Sequence, residues 1–402
     1  MANIETRYEV EMKYIHKNKE IEIKSEAIKY ITIDNNYLSK NFPIMYISAN
    51  LNSSLYDKML KNIDTDYVTL TISAYDTNKS VKSLKNYIKD EFIYFFSNTD
   101  SNYNEEIEKE ADTNKDSNNS QSYRKAFIGL ISIDLLNYSK KIYNDVKSGS
   151  SQSIIYDYIS NMKKVIIEPF DYNKSFKELI IPPMVGIKNF VDYMNTCSSF
   201  YKTQYMLFLD FSKTCYLLSC NGDGIKRKSN AYSSVIIDVD SSNSTSEAKS
   251  LGIQKDAKAK CYKLIINPCN DYSFTKDLYN DKKLNKIVTI DTTGEIDRES
   301  IETPSNSKGN RTKLYRSLSS NKHRANTLKY SNNITNAITH VTKSCVDSSL
   351  LTPDKSYTVS HIKQNKKYDG KHILINKQEI FRKEDEKYFT STITLTLAKT
   401  VS

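Results

Sequence analysis

The 402-residue chain has no tryptophan, only nine glycines and seven prolines, six cysteines and five histidines. Thirty tyrosines beside many Asn, Lys, Ile and Ser residues give these shortages the look of AT-rich coding bias, which carries no functional meaning. Cys197, Cys215, Cys220, Cys261, Cys269 and Cys345 form no C-x-x-C pair and no metal-ligand spacing, so free, buried thiols are expected. His16, His323, His340, His361 and His372 stand singly, outside any H-E-x-x-H arrangement, and no metal site is expected. The chain also lacks a G-x-x-x-x-G-K-[ST] loop, a G-x-G-x-x-G fingerprint and a G-x-S-x-G elbow. No enzyme activity and no cofactor are therefore expected. No apolar run approaches the roughly 20 residues of a membrane span, so none is expected. The first residues lack the basic-then-apolar build of a secretory signal, which implies folding in a cytoplasm.

What is present is a mixed, foldable composition. Hydrophobic residues make up 38% and charged residues 26%, and the length suits two to four domains. The net charge of +10 speaks to solubility and loose association with polyanions. From the start, strand patterns run over 8–14, 21–24, 27–33, 43–49, 67–75, 92–96 and 123–136, with strict alternation in 67–75. One short helix interrupts them, capped by Ser53 or Ser54 and carrying Leu55, Met59 and Leu60. Closely spaced strands of this kind predict a small closed or nearly closed barrel. Residues 98–122 are acidic and nearly free of large apolar groups, which predicts a disordered surface insertion.

The packing centre is expected at 165–220. A helix capped by Ser151 or Ser153 presents Ile154, Ile155, Tyr158, Ile159 and Met162 before it. Residues 165–170 read as a strand stopped by Pro169, and the prolines of 179–183 cannot donate to a sheet ladder. Ile187, Phe190, Val191 and Met194 share one helical face. The runs 205–211 and 215–220 then make a hairpin that is apolar on both faces, so something must cover each side, and 221–224 supplies the next turn. Strands are expected at 234–240, 260–266 and 286–291. The last fifty residues add strands at 356–359, 372–381 and 388–397 around a turn at 368–371.

Residues 303–346 contain no Asp or Glu but hold Lys308, Arg311, Lys313, Arg316, Lys322, Arg324, Lys329 and Lys343. A run of one sign favours polyanion or nucleic-acid contacts. Only Tyr315 and Tyr330 are available for stacking, so a solvated linker with a helical piece over 328–341 is the competing expectation. Asp238 and Asp240 share a strand face that could bind a cation, but strand carboxylates of this kind are far more often solvated than ligating. A tail-associated cell-wall hydrolase is the further alternative; it would need two carboxylates in a cleft, and 48 acidic residues offer candidates without singling out a pair.

Several stretches resemble the baseplate hub (tail hub) proteins of long-tailed bacteriophages and contractile injection systems. They are IDNNYL at 33–38, LNSSLY at 51–56, IIPP at 180–183, and the run from FVDYMN at 190 through YMLFLDFSKTCYLLS ending at 219. YDGK at 368–371 and EIF at 379–381 resemble the second barrel of that family. The resemblance implies an α+β, mainly β fold with two tail-tube-like β-barrel domains and an intervening helix-containing α+β region. The expected division is a barrel at 1–147, a central domain at 148–300, a basic linker or partly helical segment at 301–346 and barrel strands at 347–402. It further implies a homotrimer in the virion tail or baseplate, assembled in the host cytoplasm. The implied partners are the tail tube, spike or tip, tape-measure and baseplate wedge proteins, with DNA passing only transiently through a channel. The basic residues Lys308, Arg311, Lys313, Arg316, Lys322 and Arg324 are the expected polyanion or channel contacts.

Overall fold

Alternating apolar residues set most of the architecture. The structure is a computed structural model that describes residues 3–4, 6–76, 85–97, 123–201, 204–220, 232–239, 253–267, 270–275, 284–290, 296–300, 311–316, 338–361 and 369–399. The 98–122 insertion and the 221–224 turn lie outside the described residues.

The chain starts with β1 (Asn3–Ile4), β2 (Thr6–His16), β3 (Lys19–Ile23), β4 (Ile28–Asn36) and β5 (Ile44–Asn52). Helix α1 (Ser53–Lys61), β6 (Tyr67–Asp76), β7 (Lys85–Phe96) and β8 (Tyr123–Ser132) follow. Next come α2 (Ile133–Lys140), β9 (Ile142–Ser150), α3 (Ser151–Ile159), β10 (Lys164–Ile167), β11 (Ser175–Val185) and α4 (Ile187–Ser198). A hairpin of β12 (Tyr205–Leu209) and β13 (Thr214–Ser219) leads to β14 (Ser234–Val239), β15 (Ile253–Asp256), β16 (Cys261–Ile266) and β17 (Tyr272–Thr275). A small sheet holds β18 (Leu284–Ile290), β19 (Ile296–Ser300) and β20 (Arg311–Arg316). The chain finishes with β21 (Ile338–Ser344), β22 (Ser356–His361), β23 (Gly370–Lys383) and β24 (Tyr388–Lys399).

Ladders run β23-β4-β5-β8-β7-β6-β2-β24, and β24 pairs back to β23, closing a ring of eight antiparallel strands. Closure removes the sheet edges that otherwise invite aggregation. A second arc runs β15-β16-β14-β22-β23-β24-β21-β17, with β14 parallel to both β16 and β22. The last hairpin is therefore common property. In β23, Asn376–Arg382 pair with β4 while Gly370–His372 pair with β22. In β24, Tyr388–Thr390 pair with β2 while Thr392–Ala398 pair with β21. The β23–β24 register breaks between Leu374 and Asn376, and a bulge there turns the strand from one barrel toward the other.

The buried side chains form two cores. Tyr8, Met12, Val68, Ile72, Ile128 and Phe381 belong to the first; Val235, Leu264, Tyr357, Leu374, Leu395 and Leu397 belong to the second. The β12–β13 hairpin lies between them, buried along its whole length. Leu207, Leu209, Cys215 and Leu217 join the first core, while Met206, Phe208, Tyr216 and Leu218 join the second. Period-two geometry thus meets the demand for a cover on each face.

Several local expectations change. The 123–136 pattern stops as a strand at Ser132, whose Oγ accepts from the Leu135 N–H and starts α2. Asn52 caps α1 and Ser150 caps α3, each ahead of the expected serine. The largely polar strand β9 pairs with β11, and Pro182 and Pro183 fall in the register break between Ile181 and Met184, where no ladder bond is needed. Of the piece expected as helical, 328–337 lie outside the described residues and Ile338–Ser344 is a strand.

Candidate functional site at the junction of the two barrels

Among the described residues the most deeply buried charged side chain, Glu379, sits where the shared hairpin leaves one barrel for the other. Beyond the bulge, Lys377, Glu379 and Phe381 alternate along β23 and point inward together. Glu379 is 0% exposed and Lys377 6%. From the first barrel, Tyr87 on β7 donates to Glu379 Oε2 at 2.8 Å. From the second arc, Ser348 Oγ approaches the same oxygen at 2.8 Å and the Tyr87 hydroxyl at 2.5 Å. Ser348 opens a short 3₁₀ turn whose cap, Asp347, accepts from the Ser349 N–H. Lys377 Nζ donates to the Ser348 carbonyl at 3.1 Å, and Tyr8 on β2 donates to the Val346 carbonyl at 3.3 Å. The edge of the Tyr8 ring also meets Phe381, with centroids 4.8 Å apart. Side chains from both barrels thus converge on one strand.

Burial sets the electrostatics. It raises the Glu379 carboxyl above its usual range, against the opposing pull of Lys377. It lowers the Lys377 ammonium, which Glu379, Asp210 and Asp347 partly restore. The Tyr8 and Tyr87 hydroxyls are pushed well up, so both stay protonated donors. A cavity of about 820 Å³ adjoins the cluster, lined in part by Asn35, Tyr37, Tyr87, Asp210, Asp347 and Lys377. Asp210 is already engaged by the Thr214 N–H at 2.9 Å and the Tyr216 hydroxyl at 3.2 Å. No group of three metal-ligating side chains stands together among the described residues. The arrangement ties the closed barrel to the second arc.

A different surface lies on the β9–β11 ribbon. Val146 (59% exposed) stands opposite Ile180 (70%), and Ile142 (65%) opposite Val185 (55%), so four aliphatic side chains share one outward face. The basic residues singled out from the sequence are only partly placed. Arg311 and Lys313 occupy alternate positions of β20, Arg316 ends that strand, and Lys308, Lys322 and Arg324 lie outside the described residues. Asp238 lies on β14, with Asp240 outside the described residues. The sequence reading missed the Lys377–Glu379 cluster. Its signal was two charged residues in phase with Phe381 on an otherwise apolar strand.

No curated protein matches the chain. Among solved structures, the tail protein from Neisseria meningitidis MC58 aligns with a TM-score of 0.54 at 10% identity, covering 98% of this chain and 96% of that one. The 43 kDa tail protein of prophage MuSo2 from Shewanella oneidensis gives a TM-score of 0.49 at 8% identity, with 96% of each chain covered. A chain of the Francisella PdpA–VgrG complex gives 0.45 at 12% identity, covering 98% of this chain and 58% of that one. The first of these shows that the protein has a tail-protein fold. The family model for the bacteriophage PBS1 gene 109 protein matches residues 3–400, and the chain belongs to that family.

Proposed function

We propose that this protein is a structural component of a phage tail, a baseplate or tail hub that adapts a sixfold tail tube to a threefold spike or tip. The observation that carries the reading is the shared hairpin: one chain holds a closed barrel and a second barrel-like arc, tied together through β23 and β24. Two similar units per chain let three chains present six, which is what matching a sixfold to a threefold neighbour requires. The tail-protein fold and the phage family point the same way. In this reading the protein is a homotrimer without catalytic activity, assembled in the host cytoplasm and carried in the virion. It contacts tail tube, spike or tip, tape-measure and wedge proteins. Residues 1–147 hold six strands of the closed barrel and 347–402 the hairpin shared by both units, while 148–300 and 338–344 add strands of the second arc. Within the basic segment 301–346, Lys308, Arg311, Lys313, Arg316, Lys322 and Arg324 are the contacts to DNA or another polyanion. Native mass spectrometry of the full chain tests the stoichiometry. The expected species is three times the 46.3 kDa chain mass. A stable dimer or tetramer would overturn the reading, as would a monomer in mature tails.

A further inference from the structure

The hydrogen count at the junction reaches beyond a purely mechanical role. Ser348 Oγ, Tyr87 OH and Glu379 Oε2 lie 2.5 to 2.8 Å from one another, a triangle with three short edges. Each hydroxyl brings one hydrogen, and an ionised carboxylate brings none. Two hydrogens cannot fill three edges, and the unfilled edge would set oxygen lone pairs against each other. A proton on Glu379 Oε2 supplies the third. The hydrogens then run head to tail, from Glu379 to Ser348, from Ser348 to Tyr87, and from Tyr87 to Glu379. The remaining oxygen, Oε1, is buried without a hydrogen-bond partner, which costs a carboxylate far more than a neutral acid.

We propose that Glu379 is held as a neutral carboxylic acid whose proton locks the first barrel to the second, so that the junction loosens as the solution becomes more alkaline. The titratable groups facing it are Lys377 from its own strand, Tyr87 from β7, Tyr8 from β2, Tyr37 just after β4 and Asp347 from the turn before Ser348. All three tyrosines stay protonated, and Asp347 disfavours the ionised carboxyl. Lys377 is the one cation that favours the carboxylate, and hydrogen bonds from the Ser348 and Tyr87 hydroxyls act in the same sense. The Lys377 ammonium donates to the Ser348 carbonyl and lines the cavity. The sign follows from the raised carboxyl: its contribution is present below the ordinary value of 4.5 and is lost as pH climbs through the raised value. Lys377, lowered, acts in the opposite sense, its contribution being lost as pH falls from 10.5 through the lowered value. The test must therefore read the carboxyl itself.

Isotope-edited infrared spectroscopy of the full chain, with carbon-13 in glutamate, does so. At pH 7 the folded wild type is expected to show the C=O stretch of a protonated carboxyl, absent in Glu379→Gln, retained in Lys377→Met, and lost from the wild type at alkaline pH. In urea titrations, the unfolding equilibrium constant of the wild type relative to Glu379→Gln shifts by up to about tenfold per pH unit across that loss. Should Glu379→Gln fail to fold, Ser348→Ala is the second variant, and its protonated-carboxyl band must move in frequency. A folded wild type with only carboxylate bands at pH 7 would overturn the proposal. So would a protonated band that persists unchanged in Glu379→Gln or Ser348→Ala.

Discussion

If β23 and β24 truly belong to both barrels, damage to either core should be felt by the whole molecule. Phe381 is fully buried in the first core against Tyr8, and Leu395 is fully buried in the second. They lie on the paired strands of one hairpin. Removing the Phe381 ring deletes its transfer free energy and leaves a cavity, so Phe381→Ala is expected to cost about 3–5 kcal/mol. Leu395→Ala is expected to cost about 2–5 kcal/mol for the same reason. With a urea slope of roughly 3 kcal/mol per M, a loss of about 4 kcal/mol moves the midpoint down by roughly 1.3 M. The chain has no tryptophan, so far-ultraviolet circular dichroism and tyrosine fluorescence are the suitable probes. The expected result is one transition by both probes, displaced as a unit by either substitution. Two transitions, one answering only to Phe381→Ala and the other only to Leu395→Ala, would refute the shared-hairpin argument.

Gly186 sits at φ +86° between β11 and α4, where an added Cβ would stand 2.6 Å from the Ser139 carbonyl oxygen; Gly186→Ala should therefore cost about 1–3 kcal/mol, read as a lowered denaturation midpoint. Burial alone would raise the Asp66 carboxyl, but hydrogen bonds from Tyr14 and His16 outweigh it and hold the group below its ordinary 3.8. Its contribution is present above that value and lost as pH falls through the lowered one, so Asp66→Asn should flatten the acid arm of a stability–pH curve. Replacing Lys308, Arg311, Lys313, Arg316, Lys322 and Arg324 with glutamine should weaken DNA association and shallow its salt dependence in a fluorescence-anisotropy titration. Unchanged affinity would remove these residues from any polyanion contact.

Much of the first barrel was legible because its strands obey one rule, alternation with a single buried face. Val68, Leu70 and Ile72 show it plainly, and so do Ala126, Ile128 and Leu130. The β12–β13 hairpin was equally readable: a run apolar on both faces demands two covers, and two cores supply them. What escaped was register and partnership. Nothing local in 370–399 reveals that one half of each strand pairs with one barrel and the other half with the next; that depends on a bulge at Ile375 and on strands more than 300 residues away. Strand β9 escaped because a two-stranded ribbon with a largely exposed face needs little apolar periodicity. The junction cluster escaped for a related reason: Ser348 and Tyr87 are unremarkable in sequence and gain meaning only when the fold sets them around Glu379.

Electron cryomicroscopy of intact tails tests the central claim most directly. Three copies of this chain are expected around the tail axis, with the closed barrel and the second arc alternating as six similar units against the tail tube. Six copies each offering one barrel to the tube, or a density in which the second arc lies away from the ring, would contradict it.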